Sequence, residues 1–227
     1  MDSEKAGKLA ILAAKRKASR WPGYRTLADY HSGAYECDFV SPYSKTAGNV
    51  DSSLFIMLQD WSSDKALSGP LCGETVRLGY TPDVATNRNL QAHLQKHFDV
   101  SLSEIYATNL FPFIKYGGMS AKLIWNDTVR AATIFALPQI AIVQPRLAIA
   151  LGLSCFNASR IGANLAPCDR LINAIREPFE YAGASIWCQA HTGWGARHRG
   201  STAQITEDWK VMADWYRSEV KVHFVPN

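Results

Sequence analysis

The sequence predicts an α/β fold, a single-domain α/β/α sandwich with a central four-stranded, mainly parallel sheet. Four short, mostly apolar runs, at 54–58, 105–109, 146–153 and 184–191, are shorter than buried helices and fit strands covered on both faces. Stretches with helical spacing separate them, and that alternation places helices on both sides of a parallel sheet. Three of the four runs end on polar side chains: Gln59 and Asp60, then Asn109, then His191. Open α/β sheets bind ligands just outside the carboxyl ends of their strands, so an acid, an amide and an imidazole converge on one edge.

Taken in order, residues 3–20 are strong helix formers, with Leu9, Leu12 and Ala13 at helical spacing. Lys15, Arg16, Lys17 and Arg20 crowd the end, where cations suit the helix dipole and solubility, or alternatively phosphates. Trp21-Pro22-Gly23 stops this helix. Residues 24–53 carry Gly33, Pro42 and Gly48 without a sustained period and read as a loop-rich approach to the first strand, Leu54–Asp60. On that stretch alone the plainer reading, a helix N-cap made by Asp60 with a solvated Gln59 amide, comes ahead of a functional acid.

Residues 61–86 are rich in Ser, Gly, Pro and Thr, a loop of a length usually kept for function. Thr86 or Asn87 then caps a helix over 88–98 whose Leu90 and Leu94 face inward. His93 and His97, four apart on it, could share a metal, but with no third ligand in sequence they read as a solvated face. The second strand, 105–109, leads into a loop marked by Pro112, Gly117 and Gly118, and a helix is expected over 120–137. After Pro138 and Pro145 come the third strand at 146–153, helices over 154–164 and 169–178, and the fourth strand at 184–191. The last helix is expected over 206–220, capped by Thr206 with Glu207 and Asp208 in its first turn.

At 227 residues the chain is long enough to bury a substantial core as one domain, and 47% hydrophobic with 19% charged residues is ordinary globular composition. No apolar run approaches the ~20 residues needed to span a bilayer. Acidic residues precede the first apolar patch and basic ones follow it, the wrong order for a secretory signal, so a cytoplasmic protein is expected. Cys37, Cys72, Cys155, Cys168 and Cys188 are scattered and form no C-x-x-C pair. That spacing argues for reduced, mostly buried thiols and against disulfides, structural zinc or an iron-sulfur centre. A net charge of +4 is compatible with a polyanionic partner without establishing one.

The segment after the fourth strand reads His191-Thr192-Gly193-Trp194-Gly195-Ala196-Arg197-His198-Arg199-Gly200, and the first strand ends Leu58-Gln59-Asp60-Trp61-Ser62-Ser63. Here the chain resembles the uracil-DNA glycosylase superfamily, whose best-known members carry G-Q-D-P-Y-H and H-P-S-P-L-x-x-H-R-G. The leading His and closing His-Arg-Gly keep register, and the Gln-Asp core is retained. Tyr80 is similar in position to the family's base-stacking aromatic, and Asn109 to its base-reading amide. The resemblance covers roughly residues 52–220. It divides the chain into 1–50, a basic helix and lead-in packed on the domain, and 51–227, the glycosylase-like domain.

The resemblance implies a monofunctional, metal- and cofactor-independent base-excision repair enzyme that flips uracil out of single- or double-stranded DNA and leaves an abasic site. It implies a monomer with no obligatory protein partner and no membrane association. Cleaving the glycosidic bond builds positive charge on the sugar and negative charge on the base, and fixed groups that match both ends lower the barrier. Asp60 would stabilise the sugar and orient water, and neutral His191 would donate to uracil O2. Asn109 would read N3–H and O4, Tyr80 would stack on the base, and Gln59 and Trp61 would line its pocket. Thr192, Gly193, Trp194, Arg197, His198 and Arg199 would contact DNA.

Three departures from the family pattern stand out. Ser62 replaces the tyrosine that blocks the thymine methyl group, Gly195 replaces the leucine wedge, and Thr192-Gly193 replaces Pro-Ser. Phosphate contact there would rely on the Thr192 hydroxyl and backbone N–H groups. A different base preference, a non-catalytic binder of uracil-containing or damaged DNA, and an α/β hydrolase or nucleotide-binding protein with a coincidental His-Arg-Gly match stay open.

Overall fold

A computed structural model describes residues 3–193 and 198–222. Its strands are β1 Tyr24–Arg25, β2 Leu54–Asp60, β3 Tyr106–Phe111, β4 Ile114–Lys115, β5 Leu147–Leu151, β6 Phe179–Tyr181 and β7 Ala184–Gln189. The described helices are α1 Ser3–Ala18, α2 Asp64–Leu67, α3 Gly73–Leu78, α4 Ala85–Phe98, α5 Trp125–Ala131, α6 Leu137–Val143, α7 Leu153–Gly162, α8 Leu171–Arg176 and α9 Thr202–Val222. The central sheet has the order β3-β2-β5-β7-β6, and β1 with β4 makes a separate two-stranded ribbon. The four expected strands run parallel, and β6 adds a fifth, antiparallel at the edge. Three residues are too few to show alternation. The turn before β7 uses Ala182 and Gly183 at φ 51° and 83°, a backbone whose twist suits a hairpin.

Side-chain parity splits the sheet into two cores. Phe55, Met57, Ala148, Ala150, Ile186 and Cys188 face one way, with Phe135, Ile140 and Phe156 from the flanking helices. Leu54, Ile56, Leu58, Leu147, Ile149 and Leu151 face the other, under Leu90 and Leu94 of α4 and Ile205, Trp209 and Met212 of α9. Three layers result, as the alternation requires. No described helix is long and apolar enough to cross a membrane.

Several boundaries differ from expectation for local reasons. The helix expected over 120–137 begins at Trp125 and continues past Pro138 to Val143 through a π-turn at Ala132–Ala136. A proline cannot donate to the preceding turn, and the widened turn takes up that missing bond. The last helix starts at Thr202, because the Ser201 hydroxyl accepts the Gln204 N–H and caps it a turn before Thr206. Likewise α4 starts at Ala85, ahead of Thr86 and Asn87. The loop expected over 61–86 contains α2 and α3.

The solvated face expected for His93 and His97 is also corrected. His97 is buried, and the His93 ring stacks on Trp209 with centroids 4.6 Å apart. No group of three or more metal-ligating side chains occurs among the described residues. All five cysteines are free thiols, four buried and Cys72 exposed.

Arg16, read from sequence as one of several solvated cations, is fully buried. Its Nη2 donates to the carbonyls of Cys37 at 2.7 Å and Phe39 at 2.8 Å, and Nη1 lies 2.5 Å from the Glu36 carboxylate. It therefore staples α1 to the lead-in. That segment in turn covers the outer edge of β3: Ala47 O accepts the Ala107 N–H, the Ser44 hydroxyl donates to Ala107 O, and Gly48 bridges Tyr106.

Arg16→Met should destabilise the fold by about 3 kcal/mol, because two carbonyls and a carboxylate lose a buried partner; urea unfolding midpoints measure it. A second expectation concerns acid. Burial pushes His93 down to about 4, with His97 and Lys96 adding to the shift. Between about pH 4 and 6.5 the unfolded chain binds a proton that native His93 refuses, so stability rises with pH across that window and levels off above it. His93→Gln should make the pH dependence of the urea midpoint shallower there.

Candidate active site

The register of the sheet decides which polar side chains meet. Leu58 pairs with Asn109 and Asp60 with Phe111, so Asp60 and Asn109 emerge on the same face at the carboxyl edge. On β7, Gln189 pairs with Leu151, and its amide nitrogen donates to Asp208 O of α9, fixing the strand end from which His191 follows. Asp60, Asn109 and His191, together with Gln59, Trp61, Tyr80, His198 and Arg199, line one cavity of about 1100 Å³.

Asp60 is held by a lysine that sequence reasoning did not single out. Lys115 Nζ lies 2.7 Å from Asp60 Oδ2, with the two side chains only 6% and 12% exposed. The ammonium also donates to Met119 O at 2.7 Å. Oδ2 accepts no well-directed hydrogen bond from the described residues, so the contact is chiefly ionic. Burial raises the Asp60 carboxyl above its ordinary range, while Lys115 and then His191 pull against that rise. The available signal was a single lysine closing the apolar run Phe111-Pro112-Phe113-Ile114-Lys115.

His191 is held in one tautomer. Its Nδ1 accepts the Gly193 N–H at 3.1 Å, so in the neutral ring the proton sits on Nε2. Burial lowers its pKa most, His198 and Lys115 lower it further, and Asp60 opposes them. The neutral donor is the favoured form. Gly193 is held close: a Cβ there would meet the Thr86 hydroxyl at 2.4 Å and His191 Cε1 at 3.3 Å.

Asn109 is 1% exposed, and its Oδ1 accepts the Ser41 hydroxyl at 2.6 Å. That bond orients the amide and leaves one carbonyl lone pair and the NH₂ group for a ligand. Tyr80 stacks on Tyr43 with centroids 5.3 Å apart, and Tyr43 donates to Asn87 Oδ1. Trp61 donates to Gly79 O at 2.8 Å and meets Tyr35 edge-on. Ser41, Tyr43 and Tyr35 arrive from the irregular lead-in, where no periodicity marks them.

Of the residues expected to contact DNA, Thr192 and Arg199 are engaged within the protein. The Thr192 hydroxyl donates to Thr86 O at 2.8 Å and Asn89 donates to Thr192 O, so this residue braces the loop on α4 and its proton is not free for a phosphate. Neither Thr192 nor Gly193 lines the cavity. Arg199 is committed too, as its Nε and Nη2 fork onto Asp208 at 2.6 and 3.0 Å. His198 is exposed at the cavity wall. Exposed Lys122 and Arg170 also line the cavity. Trp194, Gly195 and Arg197 lie outside the described residues.

In comparisons with known proteins, no family model and no curated sequence matches this chain.

Lys115→Met should raise the Asp60 pKa further, since burial then acts without its main counterweight. A ¹³C carboxyl titration should show the Asp60 midpoint displaced upward relative to the unsubstituted protein.

Proposed function

We propose that the chain is a DNA glycosylase that hydrolyses the N-glycosidic bond of uracil flipped out of DNA and leaves an abasic site. One observation carries the reading: a buried carboxylate, a neutral imidazole with its proton on Nε2 and an oriented carboxamide share one cavity at the carboxyl edge of a parallel sheet. This is the set that separating a base from its sugar demands. The Asp60 carboxylate faces the positive charge growing at C1′ and orients the attacking water, and the His191 Nε2–H faces the negative charge growing on uracil O2.

A neutral imidazole suits the second task, because it need not be stripped of hydration as a cation must be. Asn109 accepts from N3–H with its remaining lone pair and donates to O4, a pattern that cytosine reverses. Tyr80, backed by Tyr43, offers a ring to the base. Phosphate contact falls to Lys122, Arg170 and His198 on the cavity wall, in place of the committed Thr192 and Arg199.

A second reading, a glycosylase of the same kind with another base preference, is favoured by Ser62. It lines the cavity, and it stands where the resemblance expects the bulky side chain that excludes the thymine methyl group.

Release of free base from single- and double-stranded oligonucleotides containing uracil, thymine, hypoxanthine or xanthine decides between the readings. Uracil release is expected, and Asp60→Asn should lower its rate by roughly 100-fold or more while retaining binding in a gel-retardation assay. Retardation without release by the unsubstituted protein would leave a binder of damaged DNA.

A further inference from the structure

We propose that Lys115 gives this site a second activity: its amine forms an imine with the C1′ aldehyde of an abasic deoxyribose and cuts the strand on the 3′ side. The inference rests on the glycosylase reading for its substrate class and departs from the monofunctional enzyme that the resemblance implies.

Position is the first ground. Lysines ordinarily carry their ammonium out to water, whereas Lys115 is 4% exposed and lines the same cavity as Asp60, Asn109 and His191. Its backbone is held from two sides, by pairing with Tyr24 in the β1–β4 ribbon and by a bridge to Ser63. The amine is thereby fixed beside Asp60, the group that the glycosylase reading assigns to the sugar.

Charge is the second ground. A site built only for hydrolysis gains from a carboxylate whose negative charge is free to face the sugar. An ammonium 2.7 Å from Asp60 Oδ2 offsets part of that charge, which hydrolysis alone does not call for. The same neighbour becomes useful if the nitrogen is a nucleophile and the carboxylate takes its proton. Burial of Asp60 favours its protonated form and so assists that transfer.

The step balances without an oxidant or a metal. Lys115 Nζ gives a proton to Asp60 and its lone pair forms the N–C1′ bond with the ring-opened aldehyde. The carbinolamine loses water, with Asp60 returning the proton to the departing oxygen, and an iminium remains. The Asp60 carboxylate then removes a C2′ proton. The freed electron pair forms the C2′–C3′ double bond as the C3′–O bond breaks, and the 3′-phosphate leaves. Addition of water to the iminium restores the amine and releases an unsaturated aldehyde on the 3′ end.

The test uses the whole protein and an oligonucleotide whose abasic site is formed beforehand, so that base removal is not required. With sodium borohydride present, a covalent protein–DNA adduct is expected, and mass spectrometry of its peptides should place the linkage on Lys115. Without borohydride, the strand should break with no alkali treatment. Lys115→Arg, checked for an unchanged thermal midpoint, should lose the adduct. No adduct with the unsubstituted protein, or an adduct on another amine, overturns the proposal. Because the peptide map is made on the unsubstituted protein, it decides the point even if the variant does not fold. Uracil release measured in parallel separates the two claims: release without adduct sinks the lyase alone, and adduct without release sinks the uracil reading alone.

Discussion

The ion pair between Asp60 and Lys115 is the constraint on which the candidate site depends. A carboxylate at the end of a buried strand is costly to hold ionised, and burial alone would drive it toward its neutral acid. Lys115 offsets that tendency and at the same time ties three pieces of chain together: the end of β2, the β1–β4 ribbon and the turn carrying Met119. The cavity wall is thus assembled around a charge that needs a partner, and the partner arrives from a ribbon outside the main sheet.

A similar logic runs through the histidine side. The Gly193 N–H on Nδ1 selects the tautomer, Thr192 and Asn89 hold that turn against α4, and Arg199 locks the next stretch to Asp208 of α9. Thr192 and Arg199, which could have met a ligand directly, are engaged with α4 and α9 instead, through hydrogen bonds that a motif written as letters does not display.

What the sequence made legible follows from run length and strand ends. Asp60, Asn109 and His191 follow or end short apolar runs that read as strands buried on both faces, and in a parallel sheet the ends of such strands meet at one edge. Ser41 and Tyr43 enter by long-range packing of irregular chain, for which no local pattern exists, and Lys115 comes from a two-residue strand whose one local sign is a lysine closing an apolar run. Arg16 looked like its solvated neighbours because composition cannot tell a lysine-rich helix end from a single guanidinium turned inward. Ser201 and Thr206 have the same capping chemistry, and only the packing of α9 against the sheet chooses between them. β6 is too short for alternation, and Pro138 reads as a helix stop unless a π-turn can be anticipated.

The lead-in across β3 and the hairpin that makes β6 have a joint consequence for association. Exposed strand edges invite further strands, from another copy or from an extended peptide, and proteins commonly shield them. Here one border of the sheet is covered by the chain around Ser44 to Asn49, and the other ends in a strand only three residues long. A strand added at the β6 border would find a partner only three residues long, too short for a stable ladder, which disfavours β-augmentation there.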